Sequence, residues 1–248
     1  MKISKIIGVL LILTGLLGII AYSHPELIDK FRNGSNKEPE YIQVNLKTAS
    51  YEKMLSNVIN SLMPEDRDYS DFEKCKLIHD FIISRVTYDE AGTAKSGGFK
   101  LNKEANDPER TLKEGKGICF GYAQLFCDLA VKSGLECDCI LGNIVRSSGS
   151  GGHAWNIVKI DNKYYHIDVC WDDGGLIDTP PNYEWFLIGK SKASFRSSNN
   201  GWPAADWKTY YDLGETYNID NKINIVPNEN YKVNRDKLTG YKFVFVYE

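Results

Sequence analysis

The stretch GKGICFGYAQLFCDLA, residues 115–130, contains two of the six cysteines of this chain. Apolar residues recur at helical spacing from about Phe120 to Val131, and two glycines come just before Cys119, so the pattern predicts a helix that begins near that cysteine. At a helix N-terminus the backbone N–H groups and the helix dipole stabilise a thiolate and can hold an oxyanion. Cys127 lies two turns further on, on an apolar stripe, and is predicted to be a core residue. Cys119 is therefore the candidate nucleophile, with a small buried residue as the alternative. The glycines are expected to allow a tight turn and to leave room for a substrate backbone beside the sulfur.

A cysteine nucleophile needs a base, and the base needs a group that orients it. The β-rich runs HAWNIVKI and KYYHIDVCW are joined by the dipeptide DN after residue 160, which is the signal of a two-residue hairpin turn. That turn predicts His153 opposite Cys170, with Asp168 and Asp172 as diagonal neighbours ~7–8 Å away on the same face. The sequence therefore predicts that an imidazole and a carboxylate share one face of a hairpin.

The order of the predicted elements indicates the fold class. Helices are predicted over residues 48–63 and 70–86, the second with a capping box formed by Ser70 and Glu73, and residues 89–106 are predicted to be a long loop. Strands are predicted after residue 136, including YEWFLI, and the last fifty residues are expected to form a small β addition. Helices followed by an antiparallel sheet are typical of an α+β domain.

Three segments together resemble a known family. GKGICFGYAQLF, HAWNIV and YYHIDVCWDD are similar, in order and spacing, to the three core motifs of the transglutaminase-like superfamily, and the resemblance covers roughly residues 48–189. It implies a papain/transglutaminase-like core in which Cys119 is the nucleophile, His153 the general base and acid, and Asp168 the residue that orients His153. Many relatives have a small polar residue where this chain has Cys170. We predict that Cys170 is a packed neighbour, with a disulfide to Cys119 as the alternative.

The N-terminal region differs from the rest of the chain. The uncharged run from Ile6 to Tyr22 follows Lys2 and Lys5 and spans roughly 25 Å as a helix, enough to cross a bilayer core. We interpret it as an uncleaved transmembrane signal anchor that places everything after about His24 outside the cytoplasm, with a cleaved signal peptide and secretion as the alternative.

Four segments are predicted along the chain. They are a cytoplasmic tip, membrane anchor and juxtamembrane segment over residues 1–32, a linker over 33–47, a transglutaminase-like catalytic domain over 48–196, and a β-rich C-terminal extension over 197–248.

Composition excludes some functions and leaves others open. The formal net charge of −3 gives no basic surface for nucleic acid. The acidic run DDGGLID, residues 172–178, is predicted to be a solvated loop, because its spacing lacks the ligand order of a known calcium loop, and calcium binding is the alternative. No cofactor or metal is therefore predicted, and most of the cysteines are expected to be small buried residues.

The sequence thus predicts a membrane-anchored, extracytoplasmic thiol enzyme. Its Cys-His-Asp triad would transfer an acyl group through a thioester, as a protein transglutaminase, a deamidase or a cysteine peptidase, with a protein or peptide as substrate. The alternative is a non-catalytic cell-surface module that binds protein or peptidoglycan on the same fold.

Overall fold

The structure is a computed structural model. It describes residues 41–47, 50–95, 104–146, 149–173, 183–192, 222, 225–233, 238 and 241–247. The predicted membrane anchor, residues 6–22, lies outside these ranges. Within them, no helix has the length and apolar character needed to cross a bilayer.

Five helices precede the main sheet in the described part of the chain. This agrees with the predicted order of helices first and antiparallel sheet second. The capping box is confirmed: Oγ of Ser70 accepts from the Glu73 N–H at 3.3 Å, and the Glu73 carboxylate accepts from the Ser70 N–H at 3.0 Å. The predicted loop after residue 89 contains a short helix instead. The helices are α1 (Tyr51–Leu62), α2 (Asp71–Arg85), α3 (Glu90–Lys95), α4 (Pro108–Glu114) and α5 (Cys119–Lys132).

The predicted hairpin forms two strands of a three-stranded antiparallel sheet. Strands β4 (Cys137–Arg146), β5 (Gly149–Ile160) and β6 (Lys163–Ile167) lie in that order. Asp161 and Asn162 both have positive φ, 49° and 62°, which is what a type I′ hairpin turn requires. The resulting register follows the sequence prediction as far as β6 extends. The chain is α+β, with helices before an antiparallel sheet.

The strand prediction fails at two places after this turn. Strand β6 ends at Ile167, and residues Val169–Asp172 form a one-turn helix, α6, so Cys170 is not paired with His153. The cause is the Asp168 side chain, which caps α6 and takes the chain out of the extended conformation. The predicted strand YEWFLI is wrong as well, because only Ile188 makes a bridge to the sheet.

Two distant parts of the chain meet in a second small sheet. Strands β1 (Tyr41–Asn45) and β7 (Lys242–Val246) pair in parallel. Part of the predicted linker, residues 33–47, is therefore a strand. Its alternate side chains, such as the fully buried Val44, pack against the core. The short strands β2 (Thr87–Tyr88) and β3 (Lys116–Gly117) also pair in parallel.

Helix α5 packs against the sheet, and this contact determines the spacing of the candidate site. The Asn156 side chain of β5 donates through Nδ2 to the Ala123 carbonyl of α5 at 2.8 Å, in the buried interior. Helix α5 carries Cys119 at its first position and β5 carries His153, so the bond holds together the two elements that carry the predicted nucleophile and base.

Candidate active site

Cys119 is the first residue of α5, as the sequence predicts. The cap position is Ile118, whose side chain cannot accept a hydrogen bond, and the first turn has no acidic side chain. The positive end of the helix dipole is therefore not neutralised from within the helix. Cys119 is 7% exposed, so this residue is buried.

The glycines around Cys119 allow a turn and close packing of helix α4. Gly115 has φ of +69° and ends α4 in the left-handed conformation, which glycine adopts without strain. A Cβ atom on Gly117 would lie 2.5 Å from Oγ1 of Thr111, and one on Gly121 would lie 2.4 Å from the same atom. Thr111 of α4 therefore occupies the space that a side chain at Gly117 or Gly121 would need. The expectation that the glycines before Cys119 leave room for a substrate backbone stays a prediction.

His153 and Asp168 are in direct contact. Nε2 of His153 lies 2.7 Å from Oδ2 of Asp168, and both side chains are buried. The diagonal strand geometry predicted for this pair is wrong, since Asp168 reaches His153 from the cap of α6. Its other oxygen, Oδ1, accepts from the Trp171 N–H at 3.0 Å. The Trp171 ring stacks on the imidazole, with ring centroids 4.6 Å apart.

The electrostatics of His153 favour the imidazolium form. Burial lowers the pKa of His153, but the charge and hydrogen bond of Asp168 and a hydrogen bond with Cys119 outweigh it and raise the pKa to about 9. Because Nε2 contacts Asp168, Nδ1 is the ring nitrogen left to exchange a proton with Cys119. The three residues predicted from the sequence are thus brought together, and their catalytic roles stay predictions.

The other described histidines have different surroundings. Burial lowers the pKa of His166 to about 4, so this ring is neutral, and its Nδ1 accepts from the Trp155 indole N–H at 3.3 Å. His79, in α2, lies between the carboxylates of Asp80 and Asp172.

The start of the predicted acidic loop is buried. Asp172 is 1% exposed and Asp173 is 2% exposed, so the prediction of a solvated loop is wrong for these two residues. Burial raises the pKa of each carboxyl to about 6, and Asp173 accepts from the Tyr122 hydroxyl at 2.6 Å. No group of three or more His, Cys, Asp or Glu residues suited to a metal ion is found within the part of the chain that the structure describes.

All six cysteines are described, and each is a free thiol. Cys170 and Cys139 pack against the small cluster that contains Cys119, so Cys170 is a packed neighbour. Cys127 is half-buried, and its sulfur donates to the Cys137 carbonyl at 3.4 Å. The two sulfurs of α5 therefore differ: only Cys119 contacts an imidazole.

This arrangement has the parts that nucleophilic catalysis requires. A thiol at an uncapped helix N-terminus contacts an imidazole, and a buried carboxylate orients that imidazole. Trp171 and the capping role of Asp168 were not identified from the sequence. The signal for the second was present, because aspartate is a preferred N-cap residue.

Part of the chain is similar in sequence to known proteins. Residues 60–169 match the family model described as the transglutaminase-like superfamily. The kyphoscoliosis peptidase of Mus musculus is 27% identical over 160 residues, which are 61% of this chain and 23% of that protein. A UPF0252 protein of Methanocaldococcus jannaschii is 29% identical over 132 residues, which are 52% of this chain and 37% of that protein.

The chain spans less than a quarter of the length of the mouse peptidase. Among solved structures, one titled as a TGase matches with a TM-score of 0.37 and 19% identity, over 59% of this chain and 38% of that chain.

Proposed function

Because residues 60–169 belong to the transglutaminase-like superfamily, we propose that this chain is a thiol enzyme that transfers acyl groups through a thioester on Cys119. One observation carries the proposal: the buried His153 ring is hydrogen-bonded to Asp168 on one side and to Cys119 on the other.

The first half of the reaction forms the thioester. Nδ1 of His153 takes the thiol proton, and the thiolate of Cys119 attacks the carbonyl carbon of a glutamine side chain or a peptide bond. Backbone N–H groups at the start of α5 hold the oxyanion that develops. The imidazolium then returns its proton to the leaving nitrogen as ammonia or an amine departs, and Asp168 stabilises that imidazolium throughout.

The second half releases the acyl group. His153 takes a proton from an amine or a water molecule, which attacks the thioester and expels the Cys119 thiolate. An amine gives a crosslink, whereas water gives deamidation of a glutamine or hydrolysis of a peptide bond. The mouse relative carries the name of a peptidase, and this favours including peptide hydrolysis among the three outcomes.

The proposal includes the location of the enzyme. The run from Ile6 to Tyr22 and the two lysines before it support a single membrane anchor with the catalytic part outside the cytoplasm. A protein or peptide at the cell surface is then the substrate, and a secreted form after signal cleavage is the alternative.

The experiment incubates the full-length protein with a protein substrate and a primary-amine probe, followed by mass spectrometry of the substrate. Attached probe indicates crosslinking, a gain of about 1 Da indicates deamidation, and new termini indicate proteolysis. Cys119→Ala is expected to abolish all three, while Cys127→Ala, on the same helix, is expected to retain activity.

Two results would contradict the proposal that this chain is an enzyme. If the wild type modifies no substrate and no thioester or alkylated Cys119 is detected, the proposal is wrong. If the wild type and Cys119→Ala retain a peptide or peptidoglycan ligand equally and neither modifies it, the chain is a binding module.

A further inference from the structure

A second imidazole–carboxylate pair lies one helical turn beyond the first. Asp168 and Asp172 stand four residues apart, at the cap and the last residue of α6. Asp168 contacts His153, and Asp172 contacts His79 of α2, with Nε2 of His79 3.2 Å from Oδ2 of Asp172. The side chains of His79 and Asp172 are fully buried. The proposed mechanism makes no use of this second pair.

Helix α6 depends on contacts from outside itself. A helix of one turn is unstable alone, because the conformational entropy lost in forming the first turn exceeds the stabilisation that its hydrogen bonds provide. Its C-terminal end is held by Asp172, whose Oδ1 accepts from the Trp185 N–H at 2.8 Å and whose Oδ2 faces His79. Its N-terminal end carries the carboxylate that orients His153. The position of Asp172 is therefore transmitted to Asp168 through less than two turns of backbone.

His79 is itself fixed on every side. Its Nδ1 lies 3.0 Å from Oδ1 of Asp80, and Asp80 in turn accepts from Lys76 at 2.5 Å and from the Tyr183 hydroxyl at 2.8 Å. The imidazole stacks on Tyr183, with centroids 5.1 Å apart, and meets the edge of Phe186 at 4.9 Å. The ring has little freedom to leave Asp172.

His79 and Asp172 each have a pKa shifted by burial and by the other residue. Burial lowers the pKa of His79, but the hydrogen bonds and charges of Asp172 and Asp80 outweigh it and raise that pKa above its ordinary value. Burial raises the pKa of Asp172 to about 6, against the opposing effect of His79. Without the His79 ring, Asp172 would be a buried carboxyl that keeps the Trp185 N–H but has lost its side-chain partner.

We propose that His79 is a positioning residue for the candidate active site: through Asp172 it holds helix α6, and α6 places Asp168 against His153. This inference rests on the proposed function, because it assigns His79 a role in preparing the same triad. His79 contacts neither Cys119 nor a substrate and is not itself catalytic.

If His79 had only a structural role, the experiment would give a different result. If His79 only stabilised the fold, its loss would lower the free energy of unfolding, and the folded molecules would retain an unchanged triad. If it positions Asp168, folded molecules that lack it have a looser His153–Asp168 contact. The proton affinity of His153 then falls, because Asp168 is the main group that raises it against burial.

The experiment measures the titration of His153 by NMR and the rate at which iodoacetamide alkylates Cys119 as a function of pH, both in the full-length protein. The variants are His79→Gln and Asp172→Asn. The second keeps the volume of the side chain and supplies the result should the first fail to fold. Tyr183→Phe is the matched control, since it removes a hydrogen bond to Asp80 and keeps the aromatic ring on His79.

The wild type is expected to titrate at His153 near pH 9. In His79→Gln and Asp172→Asn the midpoint is expected to fall to about 8 or lower, which is roughly tenfold weaker proton affinity. Alkylation of Cys119 at pH 7 is expected to slow by about the same factor, because the thiolate–imidazolium pair is less populated. Tyr183→Phe is expected to match the wild type in both measurements.

Folded variants whose His153 midpoint and alkylation profile equal those of the wild type would overturn the positioning role, even if they are less stable. The outcome is separable from the proposed function. If the His153 midpoint falls in the variants but the wild type transfers no acyl group, the proposed function is contradicted and the positioning role is supported. An active wild type with unaffected variants contradicts only the positioning role.

Discussion

Replacement of Asp168 by asparagine tests the proposed chemistry with little change of shape. Asp168 makes two contacts: Oδ1 accepts from the Trp171 N–H, and Oδ2 faces Nε2 of His153 at 2.7 Å. In Asp168→Asn the amide oxygen can still cap α6, so the NH₂ group turns toward His153. A neutral imidazole must then accept at Nε2, which puts its own proton on Nδ1, the nitrogen on the side of Cys119. In this tautomer His153 cannot take the thiol proton.

The magnitude follows from the electrostatics of His153. Its pKa is raised from 6.5 to about 9 against the effect of burial, with the Asp168 charge as the first of the groups that raise it. This difference between the two pKa values corresponds to about 3 kcal/mol, or roughly 300-fold in the proton affinity of the imidazole. Part of it comes from the hydrogen bond with Cys119, so we expect Asp168→Asn to slow alkylation of Cys119 at pH 7 by ~10²-fold.

The assay is the pseudo-first-order rate of iodoacetamide alkylation of Cys119, followed by peptide mass spectrometry from pH 5 to pH 10. Asp128→Asn is the control, because it makes the same chemical change on a half-buried carboxylate that contacts Tyr51 and Gln124. Alkylation of Asp168→Asn within threefold of the wild type at pH 7, in a folded protein, would refute the assignment of Asp168 as the orienting group.

Two further predictions concern stability. The pKa of His153 is higher in the folded protein than in the unfolded chain, so its contribution to stability is complete below about pH 6.5 and is lost as the pH rises through about 9. Urea unfolding should show that the free energy of unfolding falls by up to about 3 kcal/mol over this pH range. The fall should be absent in His153→Gln. Gly121→Ala places a Cβ atom 2.4 Å from Oγ1 of Thr111, so it should lower the free energy of unfolding by about 1–3 kcal/mol. The added change Thr111→Ala should restore part of that loss, and equal unfolding midpoints for Gly121→Ala and the wild type would contradict the close packing.

The sequence predicted elements where local rules decide the outcome. Helix α2 begins at the predicted capping box, because Ser70 and Glu73 satisfy backbone donors that lie within one turn. The hairpin register follows from two residues that tolerate positive φ, Asp161 and Asn162. Cys119 is the first residue of α5, as predicted from the two glycines before it and the apolar residues at helical spacing after it.

The prediction from local sequence was wrong at the end of β6. The alternating residues up to Trp171 suggest a continuous strand, but the Asp168 carboxylate competes for the backbone and starts a helical turn. The prediction that His153 and Asp168 meet therefore rested on a pleated-strand geometry that the chain does not adopt. They meet because the cap of α6 points one carboxylate oxygen at the helix and the other at the imidazole.

Sequence alone therefore determined which residue types are candidates for the proposed chemistry and which local elements hold them: a cysteine at a helix start, a histidine on a strand and an aspartate after the following strand. Only the tertiary structure decided what surrounds them. The contact of His79 with Asp172 spans 93 residues, and β1 pairs with β7 at the other end of the described chain. Caps and turns are set by neighbours in sequence, whereas the partner of a buried charge is set by whichever distant element excludes water from it.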